Sequence, residues 1–396
     1  MSKDKLNKNF TYLTIINAIG GILEMFISTF LVAYFYTVTN YNYKIISLFY
    51  IASSIITPLC FVCFGNFVKT KNKVIIFRLS MIVYCIYILL IALLKEEIVN
   101  YYILVGILHG LAQGLYWVVC NVYINEIAKQ EKVSKKFISI KSIVGNVTKI
   151  VFPIIFGAAI ELTSFFYIAK IIIPISILQL ICSLFLKDIN NSTKEKFSLS
   201  KYIKYIKENN VERIKKFYKI SIYEGVANYL LSTLITVVIV MTFKTTLNLG
   251  VLTTVFSILS IVSVYIFKKV YKNKNPKRII IISAIIMFVS VIALVLKLNK
   301  ITVIIYNLSN CMFMVLLRNY ALSKRYDSIG NYEEVKKKFL VEHQVVSEIV
   351  LGISRTFGYV FLFIMSLLNN IVYFKITLLM VTVFIMLYAK ELYEDR

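Results

Sequence analysis

The stretch Ser142-Ile143-Val144-Gly145-Asn146-Val147-Thr148-Lys149-Ile150-Val151-Phe152-Pro153-Ile154-Ile155-Phe156-Gly157 carries a lysine in the middle of an apolar run. With its neighbours, from Phe137 to Ile160, it has about the length that crosses a bilayer as a helix. A lysine at the centre of such a helix costs about 2.5–3.5 kcal/mol, which only a protein- or water-lined interior offsets. Gly145, Lys149, Pro153 and Gly157 recur every four residues, so one narrow face carries the charge among small residues. That face is expected to look inward.

The same pattern extends over the chain. Of 396 residues 59% are hydrophobic, and the mean hydropathy is +0.77, too apolar and too low in charge for a water-soluble domain. The apolar residues fall into segments 10–37, 43–67, 74–94, 98–123, 137–160, 164–186, 218–243, 249–267, 279–296, 301–320, 345–367 and 370–388, each of spanning length. Many of the Phe and Tyr residues lie near segment ends, where amphipathic rings suit the headgroup layer.

A net charge of +25 would point to nucleic acid in a soluble protein. Here Lys and Arg crowd both ends of the chain and every second gap. The other gaps hold only Lys44, Lys95, Lys244, Lys297 and Lys300, with Lys375 just inside the last segment. That asymmetry is the positive-inside rule, so the basic charge reports topology, with both termini cytoplasmic, and no nucleic-acid partner is expected. No cleavable signal peptide is expected, because the first apolar run is too long for one. The cysteines (Cys60, Cys63, Cys85, Cys120, Cys182 and Cys311) all lie within spans and read as small apolar filler, with no metal site and no cofactor.

The second half repeats the first. Lys69-Thr70-Lys71-Asn72 returns as Lys272-Asn273-Lys274-Asn275, and Ser28-Thr29-Phe30-Leu31 as Ser232-Thr233-Leu234-Ile235. Glu131 to Phe137 matches Glu333 to Phe339, and Thr148-Lys149 aligns with Ser354-Arg355. The matches come in order, at nearly constant offset. Six segments per unit make the units parallel repeats about an axis along the membrane normal. The expected organisation is an N-terminal six-helix bundle over 1–186, a cytoplasmic linker over 187–217 and a C-terminal six-helix bundle over 218–396. The fold class is an all-α membrane protein of 12 transmembrane helices.

With six plus six helices, a basic central loop and a marked loop between helices 2 and 3, the chain resembles the major facilitator superfamily over essentially its whole length. In that family the loop follows a Gly-x-x-x-Asp-Arg-x-Gly-Arg-Arg pattern. Gly65 fits, but Lys69 stands at the Asp position, Thr70 at the Arg and Asn72 at the second Gly, with Lys73 following. Gly65, Lys69 and Lys73 are the candidate gating residues, although the carboxylate of the usual relay is missing. Gly145, Pro153 and Gly157 are a thin echo of a helix 5 signature found in exporters of the family. The resemblance further implies that helices 1, 4, 7 and 10 line a central cavity, with 2, 5, 8 and 11 completing its walls.

Charged residues that fall on those helices at membrane depth are the candidates for function. Lys149 and Arg355, equivalent in the repeat, would form a cationic pair for an anionic or zwitterionic solute. Glu24 in helix 1 and Glu224 in helix 7 would be the protonatable carboxylates, since a poorly solvated carboxylate takes and releases a proton readily. The competing reading is structural, with Glu–Lys and Glu–Arg pairs locking helices together. On helix 4, His109, Gln113 and Trp117 share one side with Tyr116 and could supply hydrogen bonds and a stacking surface. Alternatively Gly106, Gly110 and Gly114 pack this helix and the polar groups bond its neighbours. Asn121 and Arg318 read as anchors near the cytoplasmic ends.

The chemistry expected is secondary active transport of a small molecule by a monomer in the cell membrane, proton-coupled through Glu24, with a lean to export of an amphiphilic or anionic solute. Alternatives are an uptake permease for an anionic metabolite, a flippase for a lipid-linked amphiphile, or a receptor or scaffold that keeps a transporter fold without transporting. An intramembrane enzyme is disfavoured, because the only histidines are His109 and His343 and no nucleophile arrangement lies at membrane depth. No P-loop is present to bind ATP.

Overall fold

The computed structural model of the chain describes residues 3–40, 42–128, 131–188, 196–271, 276–330, 332–368 and 370–394. Twelve helices among them are long and apolar enough to cross a membrane. They are α1 (Asn9–Val38), α2 (Lys44–Thr70), α3 (Lys73–Val99), α4 (Tyr102–Tyr123), α5 (Ile143–Leu162) and α6 (Phe165–Leu184). Then come α7 (Glu212–Phe243), α8 (Thr246–Ile266), α9 (Lys277–Leu296), α10 (Lys300–Leu322), α11 (Leu340–Leu367) and α12 (Ile371–Glu394). The chain is a multi-pass integral membrane protein, and the twelve segments expected from the sequence are all present.

Their ends differ from the apolar pattern where charged residues continue a helix. The helix that contains α5 starts at Glu131, and α7 starts at Glu212, inside the stretch expected to be linker. The helix of α10 runs on to Gly330, so Arg318 lies well inside it and not at its end. The stretch 187–217 also contains a helix of its own, Leu199–Glu208, whose Ser198 caps the first turn by accepting from the Lys201 N–H. Lys272–Asn275, the repeat of the helix 2–3 loop, lies outside the described residues.

In lipid no hydrophobic force draws one apolar helix to another, so close packing must come from small residues. Gly106, Gly110 and Gly114 of α4 do this against α2: a Cβ at Gly110 would meet the Ser53 carbonyl oxygen at 2.7 Å, and one at Gly114 the Thr57 oxygen at 2.8 Å. The small face of α5 is used the same way. A Cβ at Gly250 of α8 would stand 2.3 Å from the Pro153 carbonyl oxygen and 3.1 Å from the Gly157 Cα. At the α2–α11 seam, a Cβ at Gly352 would meet the Pro58 ring at 2.7 Å. These two seams, α5 with α8 and α2 with α11, join the first six spans to the last six.

Three spanning helices also widen locally into π turns, Phe26–Leu31 in α1, Gly225–Leu230 in α7 and Asn310–Met314 in α10. Such turns are often found at functional sites.

Candidate functional site: a polar cavity between the two sets of six helices

A cavity of about 610 Å³ lies between the first six spans and the last six. Its size falls within the range of small-molecule pockets. Thr14, Asn121 and Val144 place its walls toward the lysine- and arginine-rich ends of α1, α4 and α5. At the other end α1 packs on α7, and Phe26, Phe30 and Phe156 fill the space with buried rings in edge contact. The cavity therefore opens toward the basic ends. Across its closed side Tyr50 of α2 stacks on Tyr359 of α11, ring centroids 4.7 Å apart.

Of the candidates read from the sequence, Glu24, His109, Gln113, Trp117, Lys149 and Arg355 all line this cavity. Glu224 is not among the lining residues. It sits a helical turn from Asn228, whose side-chain amide lies 3.5 Å from one of its oxygens.

Glu24 is the centre of a polar cluster built from four helices. The Gln113 amide donates to its Oε2, the Tyr84 hydroxyl approaches the same oxygen at 3.4 Å, and His109 Nε2 lies 3.4 Å away. Behind them Ser53 Oγ is 2.8 Å from His109 Nδ1, Gln113 also reaches the Tyr84 oxygen at 2.7 Å, and the Trp117 indole donates to Gln113 Oε1 at 2.8 Å. With its Nδ1 accepting from Ser53, a neutral His109 can donate from Nε2 toward the carboxylate. His109 is buried, whereas the Glu24 side chain keeps 38% of its surface open to the cavity. The glycines of α4 pack on α2, and its polar groups bond residues of the neighbouring helices, as the alternative reading of this helix had it.

The two cations of the repeat differ in their surroundings. Arg355 is ion-paired with Glu348, two turns earlier on α11, and its guanidinium lies over the Tyr229 ring, 4.8 Å from the centroid. Lys149 is exposed within the cavity and makes no hydrogen bond or ion pair to any described residue. The interhelical lock of Glu24 with Lys149 is therefore not formed, and Arg355 is neutralised within its own helix. The small-residue face of α5 divides accordingly, Gly145 and Lys149 facing the cavity and Pro153 and Gly157 packing on α8.

Several lining residues carried no signal of their own in the sequence. Ser53, Tyr84, Tyr229 and Tyr359 are ordinary residues of aromatic-rich apolar segments, and only the folding-together of separate helices aims them inward. Arg318, read as an end anchor, is brought inside by the extension of its helix, where its Nε donates to Asn228 Oδ1 of α7 at 2.8 Å.

The loop between α2 and α3 is tied down at the basic end. Lys69 Nζ reaches Glu342 Oε1 of α11 at 2.6 Å and the Lys338 carbonyl at 2.8 Å, and the same carboxylate oxygen accepts from the Ser198 N–H at 3.0 Å. Both side chains are buried, at 4% and 0% exposed. Lys69, at the position where the family pattern has a carboxylate, is thus paired with a carboxylate of α11. Gly65 lets the Phe197 ring approach, since a Cβ there would lie 2.9 Å from it. Lys73 Nζ lies 3.8 Å from Asp188 Oδ1.

The family profile of the Major Facilitator Superfamily matches residues 13–332. The chain belongs to that superfamily. Among similar proteins is YqgE of Bacillus subtilis strain 168, itself uncharacterized, which is 25% identical over 376 residues covering 92% of this chain and 84% of its own. Solved structures of similar fold include the nucleoside transporter NupG, with a TM-score of 0.67 at 12% identity, covering 98% of each chain. A bacterial homologue of the iron transporter ferroportin, in an inward-facing state, gives a TM-score of 0.68 at 10% identity and covers all of both chains. A bacterial homologue of the lysosomal transporter Spinster, also inward-facing, gives 0.61 at 11% identity, covering 99% of this chain and 97% of its own. At such identities the likeness is one of fold, and the fold is that of a transporter.

Proposed function

We propose that this chain is a proton-coupled secondary transporter that carries a small anionic or amphiphilic solute by alternating access, with its termini and basic loops cytoplasmic. The observation that carries the proposal is Glu24: an open carboxylate at membrane depth, held by Gln113 and approached by Tyr84 and His109, with no lysine or arginine paired to it among the described residues.

A proton exchanged at this carboxylate changes the charge that the cavity presents to a solute. Gln113 and the Tyr84 hydroxyl serve the ionised form, so the cradle holds the group in either state. Lys149, on a facing wall, is free to meet the negative group of a solute. Trp117 and Tyr229 offer rings to an apolar body. The cavity opens on the basic side, where an exporter loads. The units 1–186 and 218–396 are taken to rock about it as rigid bodies within a monomer, and the segment 187–217 to join them.

The test is reconstitution of the purified protein into liposomes with a panel of candidate solutes and an imposed pH gradient of either sign. Gradient-driven movement is expected, and the sign that drives it gives the direction. Glu24→Gln should abolish the response to the gradient while leaving solute exchange between the two sides. If Glu24→Gln moves the solute against its concentration as well as the parent protein, Glu24 is not the coupling group.

A further inference from the structure

We infer that the solute is a zwitterion, its negative group meeting Lys149 of α5 and its ammonium meeting Glu24 of α1. The inference rests on the proposal that this cavity is the solute site, and it adds a positive group to the negative one given there.

Among the described residues, the lysine, arginine and carboxylate side chains that line the cavity are Glu24, Lys149, Glu348 and Arg355. Glu348 and Arg355 cancel one another within α11. Glu24 and Lys149 remain, one of each sign. No lysine or arginine of the described residues pairs with Glu24, whose side chain keeps 38% of its surface open. His109, with Nδ1 accepting from Ser53, approaches Glu24 as a neutral donor and leaves its charge in place. Lys149 is likewise open, and makes no hydrogen bond or ion pair to a described residue. Yet the two stand on touching helices at similar depth. α1 and α5, both odd-numbered spans, run in the same direction, and a Cβ at Gly21 would lie 3.7 Å from the Thr148 side chain. Glu24 comes one helical turn after Gly21 and Lys149 directly after Thr148, so their depths differ by less than a turn of about 5.4 Å.

The space beside them is not filled by protein. Gly145, one turn before Lys149 on the same face, has no heavy atom within 4 Å of where a Cβ would stand, and Gly21 has only Thr148. Opposite charges held apart at the edge of an open space suit a dipolar ligand better than an ion of either sign. A solute with a negative group alone leaves Glu24 unmatched at membrane depth, and one with a positive group alone leaves Lys149 unmatched. A zwitterion answers both. Beside Glu24 stand the Tyr84 phenol and, joined through Gln113, the Trp117 indole, rings of the kind that attract an ammonium. Helices in contact lie about 8–10 Å apart, so ligand charges separated by roughly the length of a benzene ring fit between them. Glu24 serves coupling and binding in turn, since it meets the ammonium only once its own proton has left. Ammonium and acid are joined in this way in soluble amino acids and in the headgroup of phosphatidylethanolamine.

The chain has one tryptophan, Trp117, and it lies in the cavity wall, so its emission reports occupancy. Protein in a nonionic maltoside is titrated with para-aminomethylbenzoate. Analogues on the same ring lack one charge or both: para-toluate, para-methylbenzylamine and para-toluamide. The zwitterion should bind about tenfold or more tighter than each analogue, the gain typical of a hydrogen bond to a charged group. Lys149→Gln should erase its advantage over para-methylbenzylamine, and Glu24→Gln its advantage over para-toluate. A merely structural loss does not give that crossed pattern. Glu24→Gln keeps an acceptor oxygen, so it weakens binding without closing the cavity to solute. If added phosphatidylethanolamine shifts Trp117 by itself and blocks the zwitterion, while phosphatidylglycerol does neither, the zwitterion is a lipid headgroup at the same site. An analogue that binds as tightly as the zwitterion overturns the inference and leaves the cavity as a solute site. No saturable change with any of the four compounds overturns both. The ranking in the parent protein depends on no variant's folding. Because these readouts need no gradient, they stand or fall separately from proton coupling through Glu24.

Discussion

Replacing Lys69 by methionine should loosen the basic end of the molecule by an amount the structure bounds. Methionine keeps most of the aliphatic stem and removes the ammonium, which gives up its bonds of 2.6 Å to Glu342 and 2.8 Å to the Lys338 carbonyl. Glu342, fully buried, is left with the Ser198 N–H as the donor to the same oxygen. Removing one member of a buried pair costs about 3–5 kcal/mol, since the remaining charge is stranded. The low end applies here, because Ser198 goes on donating. Glu342→Gln should cost a similar amount, and the double variant less than the sum, by about 1–3 kcal/mol. Thermal unfolding of the detergent-solubilised protein measures all three. Trypsin adds a second readout: Ser198 and Phe197 dock the segment 196–208 through this pair and Gly65, so its lysines should be cut faster in Lys69→Met. A single variant within about 0.5 kcal/mol of the parent, the range of an ordinary surface change, would refute the assignment of a buried structural pair.

Gly110→Leu should prevent stable folding, because a Cβ there would already lie 2.7 Å from the Ser53 carbonyl, whereas Gly145→Ala, with nothing within 4 Å of its Cβ, should be neutral or stabilising by up to about 1 kcal/mol. Size-exclusion profiles of the two variants separate these outcomes. Burial, the neighbouring Tyr218 phenol and the charge of Glu342 hold the Tyr202 hydroxyl well above the usual 10.0. The unfolded chain therefore loses this proton first as the pH rises. The stability Tyr202 contributes is full below about pH 10 and declines above it, and Tyr202→Phe should flatten that alkaline fall. Unfolding midpoints measured across the alkaline range check the sign; an unchanged slope in Tyr202→Phe would contradict it.

The fold was legible because its determinant is local: apolar length sets each span. Helix ends were less so. Glu212 to Phe217 is too charged to read as membrane, yet it continues α7 because the aqueous edge asks only for helical backbone. In the site, Lys149 could be found by cost alone, since a lysine within an apolar helix needs a polar surrounding wherever that helix goes. The surroundings of its repeat equivalent could not. Repeat symmetry pointed to Arg355, but symmetry places backbones and says nothing of Glu348, the side chain that neutralises it. Arg318 was hidden by its nearness to an apolar boundary, and its burial depends on Asn228 from another helix. Likewise Tyr84 and Ser53 matter only because α2, α3 and α4 bring them to Glu24 and His109.

The seams that join the first six spans to the last share a mechanical feature. At each, a glycine of the later set rests on a proline of the earlier one, Gly250 on Pro153 and Gly352 on Pro58. Two smooth backbones in contact resist separation but offer no interlocking side chains against rolling. A proline also leaves the carbonyl four residues before it without its helical hydrogen bond, which here means Lys149 and Ser54. The bearing surfaces and the weakest points of their own helices thus coincide, and both weak points lie on the cavity wall. Any roll of α8 over α5 that bends the shaft at this joint swings the Lys149 ammonium with it, so the position of this cavity charge and the tilt of the helix are geared together by covalent structure.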